Sequence, residues 1–347
     1  MESKNILFIC GSLNQTTMMH AISKHLEDYN CFFTPYYADG YIDVLARKGY
    51  LDFSILGGSF KGASMNYLWK ENLRVDYYGN SYNYDLVVTC SDLLVPKNIQ
   101  NKKLILVQEG MTDPKNFAYY LVKWFKFPRY IASTSTNGLS DAYDVFCVAS
   151  EGYKQLFVQN GIKEEKIRVT GIPNFDNCQQ YANNEFPYRN FVLVATSDSR
   201  ETFKYENRKK FIEYSVKIAN GKQLIFKLHP NENHEKATGE INKYAPEALV
   251  YTQGNIHEMI ANCDVLITKY STVVYTGIAL GKEVYSYFEI DDLKQMTPIQ
   301  NGGTSAFNIA QECLKLLNNK KLTKKEPKTV KLKNRIKNYV SSLAGVL

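Results

Sequence analysis

Residues Lys222 to Pro230 read KQLIFKLHP. The apolar run Leu224-Ile225-Phe226 predicts a buried strand, with Lys227, His229 and Pro230 at its C-terminal end. In open α/β sheets ligands bind at that end, so the stretch delivers a cation and an imidazole to a binding position. Further on, the apolar run Val265-Leu266-Ile267 ends in Thr268-Lys269-Tyr270-Ser271-Thr272 and turns into a helix predicted over 272–280. Read as neighbouring strand ends, the two make a phosphate site. His229 and Lys227 would stand on one side, and the hydroxyls of Ser271 and Thr272 on the other, at a helix start whose free N–H groups point outward. An ordinary Ser/Thr cap uses the same geometry, and it is the pairing with KLHP that favours phosphate binding.

Working outward, short apolar runs alternate with helical stretches on both sides of this segment. In the first half, strands are predicted at 5–10, 31–34, 53–56, 85–89, 103–107, 145–148 and 167–170, with helices at 18–26 and after Ser150. After Thr170-Gly171-Ile172-Pro173 and a polar stretch to Pro187, the alternation restarts. Strands follow at 191–195, 223–227, 249–251, 265–268 and 283–287, and helices at 207–219, 234–244, 256–261 and 272–280. Continuous apolar strands alternating with helices indicate parallel sheets covered on both faces. The expected fold is α/β, two doubly wound Rossmann-like domains facing a central cleft. The domains are placed at 1–178 and 190–312, with a linker at 179–189 and a C-terminal helix and basic tail at 313–347. Gly277 and Gly281 are read as sites of close helix–sheet packing or a turn.

The chain has 347 residues, 44% hydrophobic and 22% charged, which suits two globular domains. No apolar run reaches the ~18 residues a membrane span needs, and the run from Ile6 to Cys10 reads as a strand, not a signal peptide. Seven scattered cysteines without a C-x-x-C pair point to reduced thiols in the cytoplasm. The net charge of +7 is concentrated: Lys315 to Lys337 holds ten Lys or Arg and one acid, leaving the remainder near −2. This argues against a nucleic-acid face. It leaves two readings of the 315–337 segment, a solvated tail or contact with an anionic membrane surface that would make the protein peripheral on the inner face.

Gln108-Glu109-Gly110-Met111 follows the strand 103–107 and is the best place in the first domain for a catalytic carboxylate. Glu109 would accept the proton of an attacking hydroxyl, the competing reading being a surface-loop acid. Asp113 and Asp92 are weaker candidates. The loop from Gly11 to Thr17 offers Asn14 and Thr16 to the cleft, and is not a dinucleotide fingerprint. The segment Asn116 to Tyr130, NFAYYLVKWFKFPRY, interleaves aromatics with cations, fitting either a packed helix or an interfacial patch that meets a lipid-linked acceptor. There is no well-placed D-x-D, H-E-x-x-H, G-x-S-x-G or Walker A loop, so neither a metal nor another cofactor is expected. Lys227, His229 and the helix start at Ser271 would then balance the leaving phosphate.

KLHP at 227–230 and YSTVVYTGIALGKEVY at 270–285 resemble the HP and Ser-Ser/Thr motifs of two-domain glycosyltransferases of the GT-B fold. The nearest echoes are bacterial sialyl- and Kdo-type transferases and CDP-glycerol glycerophosphotransferases. Gln108-Glu109-Gly110 is similar to the acidic-acidic-Gly motif of the sialyltransferases, with Gln108 in place of the first acid. Thr170-Gly171-Ile172-Pro173 and Gly277–Val284 also resemble UDP-N-acetylglucosamine 2-epimerases, whose Asp-Ser-Gly-Gly is absent here. The resemblance implies a metal-independent, inverting glycosyltransferase of surface polysaccharide or glycolipid assembly. Its donor would be a CMP-, CDP- or UDP-linked nucleotide sugar and its acceptor a glycan or lipid-linked. A UDP-sugar epimerase, a CDP-glycerol glycerophosphotransferase and a non-catalytic nucleotide-sugar-binding protein are the alternatives.

Overall fold

The computed structural model describes residues 3–201 and 205–319. The first half runs β1 (Asn5–Cys10), α1 (Leu13–Ser23), β2 (Asn30–Pro35), α2 (Gly40–Arg47), α3 (Gly58–Lys70), β3 (Leu86–Thr89), β4 (Lys103–Val107), α4 (Phe117–Phe125), β5 (Val145–Val148), α5 (Glu151–Gln159) and β6 (Ile167–Val169). These strands form a parallel sheet of order β2-β1-β3-β4-β5-β6. The second half runs β7 (Val192–Ala195), α6 (Arg208–Ala219), β8 (Leu224–Lys227), α7 (His234–Tyr244), β9 (Leu249–Tyr251), α8 (Ile256–Asn262), β10 (Val265–Ile267), α9 (Val274–Ala279), β11 (Glu283–Tyr285), α10 (Ile290–Met296) and α11 (Ser305–Asn318). Its parallel sheet has the order β11-β10-β7-β8-β9. Both are doubly wound, as the alternation of strand and helix patterns requires.

The strands are apolar throughout because both faces are covered. Ile6, Leu7 and Phe8 in β1, Ile105 and Leu106 in β4, and Ile225 and Phe226 in β8 are completely buried. Each such side chain contributes about 1.5–3 kcal/mol through burial. Gly277 lets α9 lie on the sheet: a Cβ there would stand 2.8 Å from Leu266 Cδ2. Gly281 makes the following turn at φ +68, a conformation glycine adopts without steric cost.

Three expectations need correction. Residues 53–56 are not a strand. They form successive turns between α2 and α3, with Ser54 N–H donating to Leu51 C=O and Gly57 N–H to Ser54 C=O; a four-residue apolar run does not by itself distinguish strand from turn. Helix α1 begins at Leu13, earlier than predicted, because the Ser12 hydroxyl accepts the Gln15 N–H as a cap. Strands β8 and β10 are not neighbours, because β7 lies between them. Their ends are therefore two strand spacings apart, roughly 10 Å.

The chain after 290 returns to the first sheet. Ser150 Oγ donates to Met296 C=O and Ile299 N–H to Ala149 C=O. Lys4 and Lys103 donate to the carbonyls of Leu317 and Leu316 at the end of α11, whose Ile309, Cys313 and Leu317 join the core of the first sheet. A buried pair, Tyr153 of α5 and Tyr275 of α9, shares a 2.6 Å hydroxyl hydrogen bond between the two halves. Cleft geometry is thus held by packing as well as by the linker. The basic segment lies, beyond Asn319, outside the described residues.

Candidate active site in the interdomain cleft

In the first half the strand order reverses between β1 and β3, and the loops that follow β1 and β4 converge around Glu109. Ser12 Oγ donates to Glu109 Oε1 at 2.8 Å and Gln15 Nε2 to Oε2 at 2.6 Å. Burial pushes the carboxyl above the ordinary glutamate range, and these two donors oppose the shift by stabilising the charged form. Gln108 shapes the loop from below. Its Nε2 donates to Gly110 C=O at 2.8 Å and its Oε1 accepts the Ala149 N–H at 2.9 Å. An ionised acid could accept but not donate, so an amide at 108 suits this geometry.

The second half meets this loop directly. Thr272 Oγ1 accepts the Met111 N–H at 3.3 Å, and a Cβ on Gly110 would stand 2.7 Å from Thr272 Cγ2. Helix α9 starts two residues later than predicted, with Val273 as an unassisted cap. The Thr272 hydroxyl therefore touches the opposite domain instead of capping its own helix. Ser271 is half-buried and its carbonyl accepts the Val274 N–H. Asn14, Glu109, Met111, Thr134, Phe175 and Thr272 are among the residues lining a cavity of about 200 Å³ between the halves. The linker reaches it too, since Asn174 Nδ2 donates to Asn14 C=O.

The other predicted residues stand outside that lining. Thr16 is fully buried, with its hydroxyl bonded to Ser12 C=O and to Ser64 Oγ, so it packs α1 against α3 and does not face the cleft. Asp113 borders the cavity through Thr134, whose hydroxyl bonds both its carboxylate and its N–H. Asp92 is buried and holds the N–H groups of Gly138 and Ser140. Lys227 is buried, and its ammonium donates to the carbonyls of Leu228 and Thr252, so its charge is committed to the strand end. Burial pushes its pKa down.

His229 projects from the end of β8 with its side chain 35% exposed. Its own N–H donates to Thr196 Oγ1 at 3.0 Å, its carbonyl lies 3.0 Å from His234 Nε2, and its Nδ1 accepts the Asn231 N–H at 3.3 Å. With Nδ1 accepting, the neutral ring carries its proton on Nε2, the nitrogen left to face a ligand. Asp198 Oδ2 stands 3.7 Å from Nδ1.

Sequence reading missed what supports these residues. Thr196, at the end of β7, joins His229 to Glu232 through a 2.5 Å bond from its hydroxyl. Glu232 in turn pairs with Arg208 and Arg200, Arg208 pairs with Glu206, and Glu206 Oε2 is 3.5 Å from Lys269 Nζ. This buried network underlies the strand ends where the sheet order reverses. The loop position of Thr196 after a buried strand was a usable signal. The charges on either side of residue 206 read as surface in a linear pattern.

Two doubly wound domains, with a carboxylate loop on one facing a hydroxyl turn and an imidazole on the other, define a GT-B-type transferase architecture. The chain belongs to the CDP-glycerol:poly(glycerophosphate) glycerophosphotransferase family, whose model matches residues 86–295. Solved structures of similar fold include an S. aureus MnaA–UDP co-structure (TM-score 0.56, 11% identity, 93% of this chain and 100% of that one). A UDP-GlcNAc 2-epimerase from Neisseria meningitidis bound to UDP-GlcNAc is also similar (TM-score 0.54, 12% identity, 90% and 100%). So is the wall teichoic acid polymerase TagF (TM-score 0.52, 12% identity, 90% and 88%). At these identities the likeness is one of fold. No curated protein matches the sequence. Among the described residues no helix is long and apolar enough to cross a membrane.

Proposed function

We propose that this protein transfers a phospho-polyol group, glycerol phosphate or a close analogue, from a cytidine diphosphate donor to a hydroxyl of a glycan or lipid-linked acceptor in cell-envelope polymer assembly. The observation that carries the reading is the meeting of the Glu109 loop with Thr272 across the cavity, in a chain of the glycerophosphotransferase family. Glu109 takes the proton of the acceptor hydroxyl. The hydroxyl oxygen bonds to the β-phosphorus, the bridging P–O bond breaks, and CMP leaves. His229 Nε2–H donates to a donor phosphate oxygen, and Thr272 and the Ser271 turn hold the transferred phosphate. We assign charge balance on the leaving group to protein groups. A cavity of about 200 Å³ is smaller than the ~300–1,000 Å³ of whole ligand sites, so it suits the reacting end, with the nucleotide lying along the second domain.

Sugar transfer through the same cleft is the second reading, supported by the two-domain fold, and the family match ranks it below phospho-polyol transfer. A thermal-shift panel of CMP, CDP, UDP and GDP tests the assignment. Cytidine nucleotides at a hundred times their dissociation constant should stabilise the protein by about 2.7 kcal/mol, and His229→Ala should remove most of that gain. Stabilisation by UDP or GDP alone would overturn the cytidine assignment.

A further inference from the structure

Helix α4 is apolar on two sides. Tyr119 and Val122 face inward and pack with Ala132 in a small cluster of their own. The outward face carries Phe117, Tyr120 and Trp124 at helical spacing, with Phe125 beside them. Phe117 is 78% exposed, Trp124 68% and Phe125 67%. The face extends through Tyr130, whose hydroxyl bonds that of Tyr41 on α2 at 2.6 Å. A helix that only covers a core shows polar residues on its outer side, and a contiguous exposed aromatic patch marks an interaction surface.

The charges around the patch identify the partner. Residues 114–140 contain Lys115, Lys123, Lys126 and Arg129 and no acid. Lys115 and Lys123 stand over the Tyr119 ring, at 5.6 and 5.7 Å. Arg129 is tied to Asp92 C=O. On the neighbouring α2, the acid Asp43 is paired with Arg47 at 2.8 Å. Exposed aromatics interleaved with lysines match the headgroup region of an anionic bilayer, where the rings sit at the interface and the ammonium groups meet lipid phosphates. A protein partner of ordinary polarity would not call for that run of cations.

The place in the fold gives the patch a purpose. The excursion leaves the cavity wall at Thr112 and returns to it at Thr134, and the Thr134–Asp113 bonds close its base. A bilayer bound to α4 therefore lies at the first-domain side of the cleft, beside Glu109. We infer that the outward face of α4 with Tyr130 and Tyr41 is a docking surface for an anionic membrane, which presents lipid-borne acceptors to the cleft. The inference does not depend on which group is transferred, since its readout is membrane binding.

The chain has two tryptophans, Trp69 and Trp124. In full-length protein carrying Trp69→Phe, Trp124 emission should shift to the blue on adding phosphatidylglycerol-containing vesicles, and stay unchanged with phosphatidylcholine alone. In vesicle co-sedimentation, F117S/W124S/F125S should weaken binding by roughly tenfold or more at an unchanged melting temperature. Should that variant not fold, K123E/K126E gives the second test, with loss of the preference for anionic vesicles. Unchanged binding by a folded variant would overturn the inference and move attachment to another segment, such as the basic one after Lys315. So would a dimer, broken by the same substitutions, in protein that ignores vesicles.

Discussion

Gly110 of the first domain and Thr272 of the second approach so closely that a single methyl on Gly110 would stand 2.7 Å from Thr272 Cγ2 and 2.9 Å from its Oγ1. No real Cβ sits at such a distance, so the glycine is required by the neighbour across the cleft and not by its own backbone conformation. Gly110→Ala should therefore push the base loop away from the donor-side turn and lower kcat. Thr272→Ala removes both clashing atoms and should restore much of the loss in the double variant. Contacting residues couple by about 0.5–3 kcal/mol, and a double-mutant cycle on kcat/KM reads that coupling. Additive effects would mean that the two halves do not act together here.

The pH profile of the reaction should report Glu109. A base must be deprotonated, so kcat/KM should fall as pH drops through its pKa, and burial places that acidic limb above the ~4.3 of a free glutamate. Ser12 and Gln15 donate to the carboxylate and hold the value down. Ser12→Ala should move the limb to higher pH, while Glu109→Gln should reduce kcat by about 10²–10⁴-fold.

The network behind His229 should govern stability more than chemistry. Arg208 is buried between Glu206 and Glu232. Arg208→Met would leave both carboxylates buried near unbalanced charge, a loss of about 3–5 kcal/mol for broken buried pairs. Urea denaturation measures it directly.

His257 gives the fold a pH dependence of its own. Its ring stacks on Tyr181, its Nδ1 lies 2.9 Å from Thr276 Oγ1, and burial pushes its pKa down to about 4. The unfolded chain, titrating near 6.5, binds more protons than the native state in the window between these values. Stability is therefore retained above pH ~6.5 and lost as pH falls toward 4, by at most about 3 kcal/mol. His257→Phe should flatten that slope in denaturation measured across the window.

Both sheets were legible in the sequence because β1, β4, β8 and β10 are continuous apolar runs, and Ser150 announced α5 by its capping side chain. The four residues 53–56 misled because so short an apolar run carries no period. Glu109 stood out by following a buried strand, whereas its partner Gln15 sits inside a helix with nothing local to mark it. The order β10-β7-β8 was beyond local reading, since strand neighbours are set by how distant segments pack. Thr272 was noticed as a helix cap, and its bond to Met111 depends on how the two domains meet.

The most direct measurement uses CDP-glycerol labelled at the β-phosphorus, a glycan or lipid-linked acceptor, and the full-length protein with and without Glu109→Ala. The account predicts label in the acceptor, equimolar release of CMP, and loss of both in the variant. Label retained in the nucleotide fraction, or transfer undiminished in Glu109→Ala, would contradict it.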